Sequence, residues 1–116
     1  MIQGLHHIAI IVSSEESIGF YEKLGFMETE RDVREKDTIV FMSGYGIVLE
    51  IFIDPKRPER VTRPEAMGLR HLAFKVDSVI DTLKELDIEA EPIRSIGGKS
   101  FTFFKDPDGL PVELHE

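Results

Sequence analysis

Cysteine is missing from the 116 residues, which removes disulfides, thiolate metal sites and cysteine nucleophiles and leaves His, Asp and Glu as the candidate ligands and bases. Long apolar runs are missing too: the longest, Ile8 to Val12, is far too short to span a bilayer. No basic segment leading into a long apolar core opens the chain, so no secretory signal is expected and the cytoplasm is the default location. Positive charge is scarce, with 14 Lys and Arg against 22 Asp and Glu for a net charge of -8. That balance argues against nucleic acid as a partner, and no membrane partner is expected. No linker or low-complexity run divides the chain, which is long enough to bury a real core as one domain.

What is present is a repeat. Gly4-Leu5-His6-His7-Ile8-Ala9-Ile10 returns 64 residues later as Gly68-Leu69-Arg70-His71-Leu72-Ala73-Phe74. Phe20 to Phe26 echoes Thr82 to Ile88, and Val48-Leu49-Glu50-Ile51 echoes Pro111-Val112-Glu113-Leu114. Self-similarity at this spacing implies two copies of one module: module one at 1–54, a linker at 55–67 and module two at 68–116.

Both opening stretches alternate with period 2, as strands do. His7, Ala9 and Ile11 then share one face and Ile8, Ile10 and Val12 the other; His71, Ala73 and Lys75 repeat the first set. Ser13 and Ser14 can cap a helix at about 15–24 that stops at Gly25. Strands follow at 26–34, 38–42 and 47–53, with turns at Asp37 and at 43–46, so the first module reads βαβββ. In the second, Asp77 is expected to cap a helix at about 78–86. Strands are expected at 88–93, 101–104 and 110–115, with a loop at 95–98 and a tight turn at Asp106-Pro107-Asp108-Gly109.

Glu50 and Glu113 each interrupt an otherwise apolar closing strand, a costly position for a carboxylate that is neither paired nor metal-bound. With His7 and His71 they form a set of two imidazoles and two carboxylates taken from the same slots of the two copies. Such a set suits a borderline divalent metal, namely Zn, Ni, Co, Mn or Fe, with positions left open for substrate. A metal there would act as a Lewis acid on a developing enediolate while a rim carboxylate moves a proton. Taken singly, each histidine could be a hydrogen-bonded core residue, Glu50 a buried partner of an arginine and Glu113 a solvated residue near the C-terminus; it is the repetition that favours ligation. His6 competes with His7, but the alternation puts it on the opposite face, aligned with Arg70. Lys56, Arg57, Arg60 and Arg63 crowd into the linker, either as a solvated connection or as a loop that attracts an anionic substrate.

His7-Ile8-Ala9-Ile10, Phe20-Tyr21-Glu22-Lys23-Leu24-Gly25-Phe26, Arg70-His71-Leu72-Ala73-Phe74 and Phe103 to Leu114 together resemble the vicinal oxygen chelate superfamily, the glyoxalase and bleomycin-resistance fold, over essentially the whole chain. The resemblance implies an α+β fold of paired βαβββ modules forming a curved mixed sheet around a metal, in many members a homodimer. It places the family's metal positions on His7, Glu50, His71 and Glu113. Within the superfamily the chain looks most like the glyoxalase I branch, lactoylglutathione lyase. That branch implies proton transfer on a methylglyoxal hemithioacetal by Glu113, assisted by Glu50, with Zn or Ni as the foremost metals. Glutathione-dependent relatives often carry Arg and Asn where this chain has Ile11 and Asp54, and Arg57, Arg60, Arg63 and Lys99 are the expected substitute grip on an anionic small-molecule substrate. An epimerase like that acting on methylmalonyl-CoA is the alternative with the same chemistry; a metal-free drug-binding resistance protein is the alternative from another class.

Overall fold

The period-2 alternation decides which side of the inner strands is buried, as a computed structural model describing residues 1–116 shows. The chain divides into two units, Met1–Glu59 and Arg60–Glu116. In the first unit the elements are β1 (Ile8–Val12), α1 (Glu16–Lys23), β2 (Met27–Val33), β3 (Thr38–Gly44) and β4 (Ile47–Ile53). Their sheet has the order β1-β4-β3-β2, with β1 parallel to β4 and the other neighbours antiparallel. Val12, Val40, Met42, Leu49 and Ile51 are buried on one face, and α1 adds Ser17, Ile18 and Tyr21 to the buried set. Each of the aliphatic side chains among them contributes about 1.5–3 kcal/mol by leaving water. A row on the other face runs Ala9, Glu50, Phe41 across three strands.

The second unit repeats the plan with β5 (Leu72–Lys75), α2 (Val79–Leu86), β6 (Arg94–Ile96), β7 (Lys99–Lys105) and β8 (Pro111–His115) in the order β5-β8-β7-β6. Leu72, Phe104, Val112 and Leu114 are buried. The opposite face carries the row Ala73, Glu113, Phe103. The same three residue types in the same register, alanine beside glutamate beside phenylalanine, are the structural form of the repeat. The fold is α+β, two βαβββ units each with a four-stranded mixed sheet, as expected.

Local departures have local causes. The β3–β4 connection is a two-residue turn in which Tyr45 (φ 54°) and Gly46 (φ 74°) are both left-handed, the combination that matches hairpin twist. Ser78, not Asp77, caps α2: its side chain accepts from Asp81 N at 3.2 Å, and the Glu116 carboxylate accepts from Val79 N at 2.9 Å. Glu15 stands at the N-cap of α1 with no side-chain cap bond, while Ser14 Oγ accepts from Glu16 N at 3.3 Å. The expected strand at 88–93 is absent, and pairing begins at Arg94. Pro92 has no N–H to donate to a ladder, and only Glu91 reaches β7, its N–H donating to Phe103 O at 2.9 Å and its carbonyl accepting from Thr102 Oγ1 at 2.6 Å. The Asp106 turn forms as expected, Asp106 Oδ1 accepting from Asp108 N and Leu110 N at 2.9 Å each. No helix is long and apolar enough to cross a membrane.

Candidate functional site

The alanine of each cross-strand row is small, and the histidine two residues before it reaches over to the row's glutamate. His7, just ahead of β1, places Nε2 3.3 Å from Glu50 Oε1. His71, just ahead of β5, places Nε2 3.0 Å from Glu113 Oε1. The carboxylates are well covered, with side-chain exposures of 17% and 13%, and the histidines more open at 37% and 22%. Each pair is therefore a shielded acid capped by a more open imidazole. In neither unit do further His, Asp or Glu side chains join the pair to make a group of three.

The donor set fits a divalent ion. Two donors about 2.1 Å from one ion lie about 3.0 Å apart at a right angle and about 3.4 Å apart at the tetrahedral angle. The observed separations fall in that range, which is also the range of a simple His–Glu contact. The rings differ on their far sides. His7 Nδ1 is 2.9 Å from His6 Nδ1; either ring can donate or accept, so His7 can carry its proton toward His6 and leave Nε2 bare for a metal. This corrects the expectation that His6 points to the opposite face: it precedes β1, where the strand's alternation does not yet apply. Arg70 holds the equivalent place in the second unit, with Nη1 3.1 Å from His71 Nδ1. A guanidinium only donates, so in this arrangement Nδ1 accepts and the neutral ring's proton lies on Nε2, toward Glu113. Arg70 has to leave Nδ1 before Nε2 of His71 can ligate. Sequence spacing aligned His6 with Arg70, yet it gave no sign that both reach Nδ1 of the following ring.

Aromatic rings floor the second pair. His71 meets Phe103 edge-on at 5.1 Å, Phe101 stacks on His115 at 5.8 Å, and the Arg94 guanidinium lies over Phe101 at 5.1 Å.

The four cations expected to grip an anion are not one group. Arg57 pairs with Asp54 at 3.0 Å in the first unit, and Asp54 also accepts from Lys56 N at 3.1 Å, so both residues shape the loop after β4. Arg60 and Arg63 line a pocket of about 190 Å³ built wholly from the second unit. Lys99, at the start of β7, is not among its lining residues, whereas Arg70, Arg94 and Lys105 are.

A family model for the glyoxalase/bleomycin resistance protein/dioxygenase superfamily matches residues 4–114. The chain belongs to that superfamily. Among its relatives, the uncharacterised Bacillus subtilis protein YwkD is 49% identical over the whole of this chain and 98% of its own. The crystal structure of a glyoxalase family protein from Enterococcus faecalis superposes with a TM-score of 0.86 at 45% identity over 98% of each chain. A fosfomycin resistance protein of the superfamily, FosX from Listeria monocytogenes, superposes with a TM-score of 0.74 at 25% identity over 99% of this chain and 93% of its own; that structure is a complex of a FosX variant with Mn(II) and 1S,2S-dihydroxypropylphosphonic acid.

Proposed function

We propose that the chain is a metal-dependent lyase or isomerase of the glyoxalase I type, acting on the hemithioacetal that a small thiol forms with methylglyoxal. The observation that carries this reading is the repeated pair, His7 with Glu50 and His71 with Glu113, at 3.3 and 3.0 Å. Two histidines and two covered carboxylates are a hard-to-borderline donor set, and His7, Glu50, His71 and Glu113 are the residues that would hold the ion. When bound, a divalent metal supplies Lewis acidity to two neighbouring substrate oxygens.

The chain's own part is proton movement. Glu113 takes the proton from the carbon that bears the thiol and returns it to the adjacent carbonyl carbon, while the hydroxyl proton passes to the former carbonyl oxygen, giving the 2-hydroxy thioester as an isomer of the hemithioacetal. Glu113 is largely covered yet reachable, with 13% of its side chain exposed, and the one carboxylate serves first as base and then as acid. Phe103, beside Glu113 in the sheet register, adds an apolar ring to the same face. Glu50 assists from the first unit.

The likeness to the FosX complex favours a second reading, a hydrolase or transferase acting on a small phosphonate. One experiment separates them: metal content of the purified protein, with methylglyoxal isomerisation assayed with glutathione and other low-molecular-weight thiols, for the parent and Glu113→Gln. Metal-dependent turnover that collapses in the variant supports the lyase. Stoichiometric metal without turnover rejects it and leaves phosphonate chemistry and acyl-CoA epimerisation to be assayed; no metal at all rejects both metal readings and favours a drug-binding protein.

A further inference from the structure

In a chain of net charge -8, one pocket of the second unit is lined by Arg60, Arg63, Arg70, Arg94 and Lys105, with Glu65 and Glu91 as the only acids. Two of the cations are already engaged. Arg70 makes a bidentate pair with Glu65, at 2.9 and 3.0 Å. Arg60 donates to the carbonyls of Leu69 and Arg70 at 3.2 and 2.8 Å, fixing the chain that leads to His71. The remaining three have no carboxylate partner. Arg63 projects from a turn closed by the bridge between Thr62 and Glu65, Arg94 rests on Phe101, and Lys105 ends β7. Glu91, exposed and using its backbone to hold β7, is the single acid left against them.

Three unpaired cations converging on one small cavity repel one another, an arrangement whose stability improves when an anion enters. Phe103 joins the cavity to the His71 ring. We propose that this pocket binds a small oxyanion, a phosphate, phosphonate or carboxylate, through Arg63, Arg94 and Lys105. A pocket of about 190 Å³ is smaller than those that enclose drug-sized ligands, which fits a small anionic group. Resting on the proposed function, that group is the charged end of the substrate whose reacting carbons lie at Glu113.

The test is binding of inorganic phosphate, methylphosphonate and acetate to the metal-free protein by calorimetry, at constant ionic strength held with chloride. Saturable binding is expected, and the tightest of the three identifies the anion class. Arg63→Gln and Lys105→Gln should each weaken it about tenfold, the scale of one charge-assisted hydrogen bond. Glu91→Gln should tighten it, and Lys84→Gln, which removes the same charge from α2, should leave it unchanged. Binding that is absent, or equal in the parent, Arg63→Gln and Lys105→Gln, overturns the site. Metal titration of the same preparations keeps the two ideas apart: phosphate without metal supports the pocket and rejects the metal reading, and metal without phosphate rejects the pocket alone.

Discussion

Arg70 Nη1 stands 3.1 Å from His71 Nδ1, on the far side of the ring from Glu113. Because the guanidinium has no acceptor, the contact favours the His71 tautomer that cannot ligate through Nε2. Metal ligands are ordinarily oriented by a group that accepts from the other ring nitrogen. Arg70→Gln supplies such an acceptor, and the expected outcome is tighter metal binding, by about tenfold on the scale of outer-shell effects. Arg70→Lys keeps a donor-only side chain and should bring no gain. Calorimetric titration with Zn and Ni checks both; Gln and Lys variants of equal affinity would show that the contact does not govern ligation.

The pairing of Glu50 with His7 makes a parallel prediction for the first unit. If all four side chains hold the ion, Glu50→Ala and Glu113→Ala should each weaken metal binding, by about 10- to 100-fold. Loss in Glu113→Ala with none in Glu50→Ala would mean that Glu50 does not hold the ion.

Where the sequence carried strict alternation, the fold was legible: β4 runs over Ile47–Ile53 as expected, with Leu49 and Ile51 in the core and Glu50 on the opposite face, where His7 meets it. The repeat located both histidines and both glutamates, and each module does bring its own pair together. Side-chain reach across a strand's end was not legible, which is why His6 was placed on the wrong face. Nor was the strand near residue 90, where Ile88 and Ile93 suggest a strand but Pro92 interrupts the donor ladder and shifts pairing to Arg94. The basic pocket was half visible. Arg60 and Arg63 stood out as a local charge run, while Arg70, Arg94 and Lys105 are scattered in sequence and meet only through the β6–β7 hairpin and the start of β5.

Arg31 on β2 ties two carboxylates, Glu28 at 2.8 and 3.0 Å and Glu15 at the start of α1. The hydrogen bond from Arg31 holds the Glu28 carboxyl below its ordinary value of 4.5. A lowered folded-state value means that the pair's contribution is complete above about pH 4.5 and is lost as the pH falls through the lower folded value. Both groups are about one-third exposed, so solvent screening keeps the contribution below about 1 kcal/mol. Urea unfolding of Arg31→Gln should show a deficit of that size at neutral pH that closes on acidification. A deficit independent of pH would assign the loss to packing of the arginine stem instead.

Gly25 follows α1 at φ 109°, a conformation that L side chains rarely adopt, and a Cβ added there would run into the hydroxyl of Tyr45. That hydroxyl donates to Leu24 O and so closes the end of the helix. Gly25→Ala therefore meets two obstacles: backbone strain of about 1–3 kcal/mol, and displacement of a tyrosine whose hydrogen bond is itself worth about 1 kcal/mol. Tyr45→Phe removes the hydrogen bond and the obstructing oxygen together. In the double variant the strain persists but the collision is relieved, so the two losses should add to less than their sum. Urea unfolding of the parent, both single variants and the double variant measures the difference. Strict additivity would mean that the helix end moves aside for the new methyl group, and that backbone conformation alone fixes glycine at this position.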